Sequence, residues 1–131
     1  MNPLWWQQLG LVAAGGAFGA VGRFVLSGWM TRHMGTGFPW GTFAANLVGC
    51  LVAGFVLVWL EGRGTSALLW RAFLMVGVLG GLTTYYELIV ELYLLQRGNG
   101  PHWGGIYLAA SLVGGMGLLW LGMRLADTLR W

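Results

Sequence analysis

The chain has 131 residues, 57% of them hydrophobic and only 8% charged, with 24 glycines and nine tryptophans. A soluble domain carries roughly 25% charged residues, so this composition excludes one and points to a protein held almost wholly in a bilayer. The formal charge of +3 comes from arginine alone, with no basic cluster to neutralise phosphates, which argues against nucleic-acid binding.

A helix needs about 20 apolar residues to cross the hydrocarbon core. Four windows qualify, at about 5–30, 40–60, 70–95 and 103–123, and together they predict one four-helix transmembrane domain over residues 1–131. The first opens Met1-Asn2-Pro3-Leu4-Trp5-Trp6 without a basic n-region and runs too long for a secretion signal, so it is expected to stay as a membrane helix. Within it, Arg23 is the only cation well inside a span; it can pair with a carboxylate, cap carbonyls or attract anions to a vestibule. Gly15 and Gly19 form a GxxxG pair.

The second window holds no charge. Asn46 sits mid-span, with Thr42 one turn earlier as its nearest polar neighbour, and serves either as helix–helix glue or as part of an aqueous track. Ala45, Gly49 and Ala53 recur at i+4. The lone Cys50 has no partner for an intrachain disulfide.

The third window is interrupted by Gly77-Val78-Leu79-Gly80-Gly81-Leu82-Thr83-Thr84-Tyr85-Tyr86-Glu87. Lipid offers no hydrogen bonds, so broken backbone at that depth belongs where it is buried in protein or lines an ion site. Glu87 and Glu91 follow one turn apart; an ionised carboxylate at a helix centre costs about 2.5–3.5 kcal/mol, and two on one face repel. Glu91 lies about 6 Å from the end of the span, within reach of water or Arg97. Glu87 is a turn deeper and reads as functional, or else as an ion-pair partner of an arginine. In the fourth window Tyr107, Ser111 and Gly115 make one stripe, either a packing groove with a tyrosine anchor or a hydroxyl ladder facing a pore.

Tryptophans near the predicted boundaries form an interfacial belt, and the connections 31–39, 61–69 and 96–102 are short and punctuated by Gly or Pro. Arg63, Arg71, Arg124 and Arg130 share one side, against Arg32 and Arg97 with Arg23 deeper on the other. So weak a bias suits a chain inserted both ways up, and equally a small protein with few charges. The small-residue faces favour self-association. An enzyme is not expected: Cys50 and Ser111 have no base in their own helices, and His33 and His102 fall in predicted loops.

Taken in order, Gly15-Gly16-Ala17-Phe18-Gly19-Ala20 with Arg23-Phe24, then Gly41-Thr42-Phe43-Ala44-Ala45-Asn46-Leu47-Val48-Gly49, then Gly80-Gly81-Leu82-Thr83-Thr84 with Glu91, then Tyr107 and Ser111, resemble the Fluc (CrcB) family of small fluoride channels over nearly the whole length. The resemblance implies an all-α, antiparallel, dual-topology homodimer in the bacterial inner membrane, with the third helix broken mid-membrane and two passive fluoride pores between subunits. It implies a structural sodium ion on the two-fold axis, held by the backbone carbonyls of Gly80 and Thr83. Asn46, Tyr85, Leu88, Glu91, Tyr107 and Ser111 would line or border the fluoride path, with Arg23 at a vestibule. No Walker-type phosphate loop suggests a pump.

The chain departs from the family pattern where that pattern reads Thr-Thr-Phe-Ser-Thr-Phe. Here Tyr85 keeps the first ring, Leu88 replaces the second, and Tyr86 and Glu87 stand between them. A ring edge carries partial positive charge that leucine lacks, and an anionic Glu87 beside the path repels fluoride unless protonated or paired. Two other arrangements therefore stand beside the channel. One is a proton-coupled antiporter resembling the small multidrug transporters and using Glu87. The other is a non-conducting subunit, or one half of a heterodimer whose partner carries both rings.

Overall fold

In a computed structural model, which describes residues 4–35 and 37–129, the chain is helical throughout. Helix α1 spans Trp5–Met34, α2 Trp40–Trp59, α3 Thr65–Trp70, α4 Gly80–Leu82, α5 Tyr85–Asn99 and α6 Pro101–Leu129, with a π-helical segment Arg71–Leu79 between α3 and α4. Among the described residues four helical stretches are long and apolar enough to cross a membrane: Trp5–Met34, Trp40–Trp59, Ser66–Gly98 and His102–Leu129. Arg130, counted above in the charge bias, lies outside the described residues.

Three spans outrun the apolar windows, because helical hydrogen bonding continues into polar flanks. Arg32 and His33 occupy the last turn of α1, where cations complement the helix dipole, and His33 stacks on Trp29 at 4.3 Å. His33 and His102 therefore belong to helices rather than to the expected loops. The 61–69 connection shortens because α3 starts at Thr65. The 96–102 connection shrinks to Gly100 at φ 99°, a left-handed stop followed by Pro101 at the first position of the next helix.

The helices approach backbone to backbone through glycine. In α1, Gly15 and Gly19 lie against the π segment and the start of α4, and Gly81 reciprocates against Gly16 and Ala20. Gly49 seats the Thr83 methyl, and Gly115 faces Cys50 Sγ. The small-residue stripes are thus used in part within the chain, while Gly49, Ala53, Ser111 and Gly115 also line an open groove. The extensive contact of α2 with α6 rests on two more glycines, Gly54 against Leu119 and Gly122 against Leu51 and Phe55.

A Cβ on Gly122 would sit 2.9 Å from the Phe55 nitrogen and closer still to the Leu51 carbonyl. Backbone cannot yield as a side chain does. Gly122→Val is expected to destabilise the fold by about 3 kcal/mol, at the upper end of overpacking costs. Gly10→Ala meets open space and is expected to leave stability within about 1 kcal/mol of the parent. Unfolding in a denaturing-detergent titration measures both.

Candidate functional site

The backbone leaves the helix at two residues. Thr83 (φ −89°, ψ 154°) and Thr84 (φ −150°, ψ 131°) are extended between α4 and α5. Thr83 closes the preceding turn with its N–H and its hydroxyl, both donating to the Leu79 carbonyl at 3.0 and 2.8 Å. Thr84 opens the next helix, its Oγ1 accepting from the Glu87 N–H at 3.4 Å. Thr84-Tyr85-Tyr86-Glu87 is the Ser/Thr-x-x-Glu signature of a helix start. That signal was readable in the sequence, and it gives Glu87 a place in the first turn of α5, where the helix dipole favours negative charge.

Asn46 spans the gap from α2. Its Oδ1 accepts from the Thr84 N–H at 2.9 Å, and its Nδ2 donates to the Thr84 carbonyl at 3.4 Å. The amide replaces helical bonds that the extended pair has given up. It is glue, and it also lines an open groove of about 530 Å³ whose walls include Gly80, Thr83, Tyr85, Leu88 and Ser111. Four of the six expected path residues, Asn46, Tyr85, Leu88 and Ser111, therefore meet in one place.

Glu91 lies elsewhere, with the vestibule residue Arg23 and with Glu87. A second cavity, of about 570 Å³, is lined by Arg23, Ser27, Thr42, Glu87 and Glu91 together with the 37–41 connection. There the half-buried Arg23 bridges the interruption: its Nε donates to the Gly81 carbonyl at 3.2 Å and its Nη1 to Glu87 Oε1 at 2.6 Å. The Tyr86 hydroxyl donates to the same Glu87 oxygen at 3.2 Å. Glu91, expected to reach for water or Arg97, instead turns inward, with its Oε1 2.8 Å from Thr42 Oγ1. That hydroxyl also lies 3.1 Å from Glu87 Oε2.

Tyr107 belongs to neither wall. It is fully buried, its ring packed edge-on to Phe38 at 5.3 Å and tilted against Phe43 at 6.2 Å, with its hydroxyl beside Glu91. Thr42 is the residue that sequence reasoning undervalued. It is 2% exposed and touches both carboxylates, though its only sequence signal was a hydroxyl one turn from Asn46. Among the described residues no group of three or more His, Cys, Asp or Glu side chains could hold a metal ion.

Residues 10–123 match the family described as CrcB-like protein, Camphor Resistance (CrcB). Relatives called fluoride-specific ion channel FluC align along almost the full chain. That of Xanthomonas euvesicatoria is 48% identical over 122 residues, covering 93% of this chain and 92% of its own. That of Xylella fastidiosa is 46% identical over 126 residues, covering 95% and 88%. A relative from Caulobacter vibrioides is 41% identical over 121 residues, covering 92% and 95%.

Proposed function

The chain belongs to the CrcB family, and from that membership and the site above we propose that it is a passive fluoride channel of the bacterial inner membrane, working as an antiparallel, dual-topology homodimer. The observation that carries this is the Thr83–Thr84 interruption, braced by Asn46 and facing the same groove as Tyr85, Leu88 and Ser111. It falls at the centre of the 33-residue apolar stretch Ser66–Gly98, which supports a break at mid-membrane depth. Amide and hydroxyl donors there can replace water around a small, strongly hydrated anion. An inside-negative potential drives the anion outward without ATP.

Self-association follows from the openness of the groove. Tyr85 is 76% exposed, and polar atoms of Asn46 and Thr84 line a wall that one chain leaves open toward lipid. Lipid cannot satisfy them; a second copy can close the path over them.

The residues also fit a structural sodium ion on the dimer axis, held by the Gly80 and Thr83 carbonyls. In a continuous helix these would accept from the N–H groups of Thr84 and Glu87. Here the first donates to Asn46 and the second to the Thr84 hydroxyl. Such an ion would supply positive charge to two hard oxygen ligands from each subunit.

Glu87 weighs against the antiporter. A carboxylate held by a guanidinium at 2.6 Å and by two further side chains is poorly placed to exchange protons with a substrate. Pairing also removes the repulsion that a free Glu87 would exert on an anion. The test is reconstitution in potassium-loaded liposomes, with fluoride efflux followed by electrode after valinomycin and chloride as control. Rapid efflux of fluoride over chloride is expected. Silence from a well-folded dimer would remove the channel reading and leave a non-conducting subunit.

A further inference from the structure

Thr42 Oγ1 lies within hydrogen-bond distance of two carboxylate oxygens, at 2.8 Å from Glu91 and 3.1 Å from Glu87. A hydroxyl has one hydrogen to give and lone pairs with which to accept, whereas an ionised carboxylate only accepts. One hydrogen shared between two acceptors makes two weak bonds; both contacts are full two-centre hydrogen bonds only if one carboxyl donates to Thr42. We infer that Thr42, Glu87 and Glu91 form a proton-binding site that holds one proton, resident on Glu91.

The donors on Glu87 decide which acid holds the proton. From α1, Arg23 gives Glu87 a charge-assisted bond at 2.6 Å, and within α5 the Tyr86 hydroxyl donates to that oxygen too. Glu87 thus carries the negative charge. From α2, Thr42 is the only side chain bonded to both acids, and it has no charge of its own. From α6 comes the Tyr107 hydroxyl, buried beside Glu91 and without a hydrogen-bond partner. Among the described residues no cation is bonded to Glu91, and its Oε2 is buried without a hydrogen-bond partner.

The order of donation is Glu91 O–H to Thr42 Oγ1, Thr42 O–H to Glu87, and Arg23 to Glu87 from the other side. Arg23, Glu87 and Glu91 then sum to zero charge. With both acids ionised they would sum to −1, two like charges sharing one neighbour. On the channel reading, this proton leaves the wall of the Arg23 cavity neutral toward an entering anion. The site itself does not depend on that reading.

Infrared spectroscopy of the reconstituted protein tests the site without any transport. The chain has only four Asp and Glu side chains, so the carbonyl stretch of a protonated carboxylic acid stands out from the amide bands. One such band is expected at neutral pH, moving in D₂O and on ¹³C-glutamate labelling but not on ¹³C-aspartate labelling. It should vanish in Glu91→Gln, move in Thr42→Val and persist in Glu61→Gln. Absence of the band from the parent protein, or its survival in Glu91→Gln, would overturn the inference. The labelling result needs no variant to fold.

Discussion

Replacing Asn46 by leucine is expected to cost about 3 kcal/mol of stability and to cut fluoride flux by at least about tenfold. The stability loss follows from what the amide bonds. Without its Oδ1, the Thr84 N–H has no acceptor and no helical alternative, and a buried unsatisfied donor costs about 1–3 kcal/mol before the lost Thr84 carbonyl bond is added. The flux loss follows from the second amide hydrogen. One N–H goes to Thr84, which leaves the other for the groove. A hydrogen bond to a charged partner contributes about 1.5–3 kcal/mol, and each 1.4 kcal/mol is about a factor of ten.

Asn46→Asp separates the two effects. The carboxylate still accepts from Thr84 N–H, so most of the stability should remain, but it offers the anion no donor and the flux should stay low. Unfolding midpoints and electrode-recorded efflux on the same preparations decide it. Full flux in a folded Asn46→Leu protein would confine the side chain to bracing the backbone.

What the sequence disclosed and what it withheld follow from how local each feature is. Four spans were legible because hydropathy over 20 residues is a local sum. The Thr83–Thr84 interruption was legible as a Gly-Gly and Thr-Thr run inside one of those sums. The π segment Arg71–Leu79 left no trace. Its residues are apolar almost throughout, and a lengthened turn changes hydrogen-bond partners without changing composition. It is also longer than the usual single-turn bulge, and it lies where Gly15 and Gly77 bring two backbones together.

Partner choice was the least legible feature. Arg23 and an intramembrane carboxylate were each visible as groups needing company, but they stand 64 residues apart. Which glutamate meets which arginine depends on the register of α1 against α5. The register of α2 against α5 puts Glu91 against Thr42 rather than Arg97, and the Arg23 cavity lies apart from the Asn46 groove. A list of polar residues in chain order merges the two.

Arg23→Met is expected to destabilise the protein by about 2–3 kcal/mol, and Arg23→Met combined with Glu87→Met by much less. The arginine holds both sides of the interruption, the Gly81 carbonyl before it and Glu87 after it. Removing one member of a half-buried ion pair strands the other's charge in a poorly solvated place, at a cost of about 3–5 kcal/mol for fully buried pairs and less here. Removing both leaves no stranded charge, only the loss of the clamp on Gly81. A double-mutant cycle on unfolding free energies should therefore give a coupling above about 1 kcal/mol, beyond what an exposed ion pair delivers. Flux should order differently. The single Arg23→Met variant leaves Glu87 unneutralised beside the anion's route and should conduct least, while the double variant should recover part of the parent rate. If the single and double variants conduct alike, Glu87 does not face the path, and its role ends with holding Arg23 across the broken backbone.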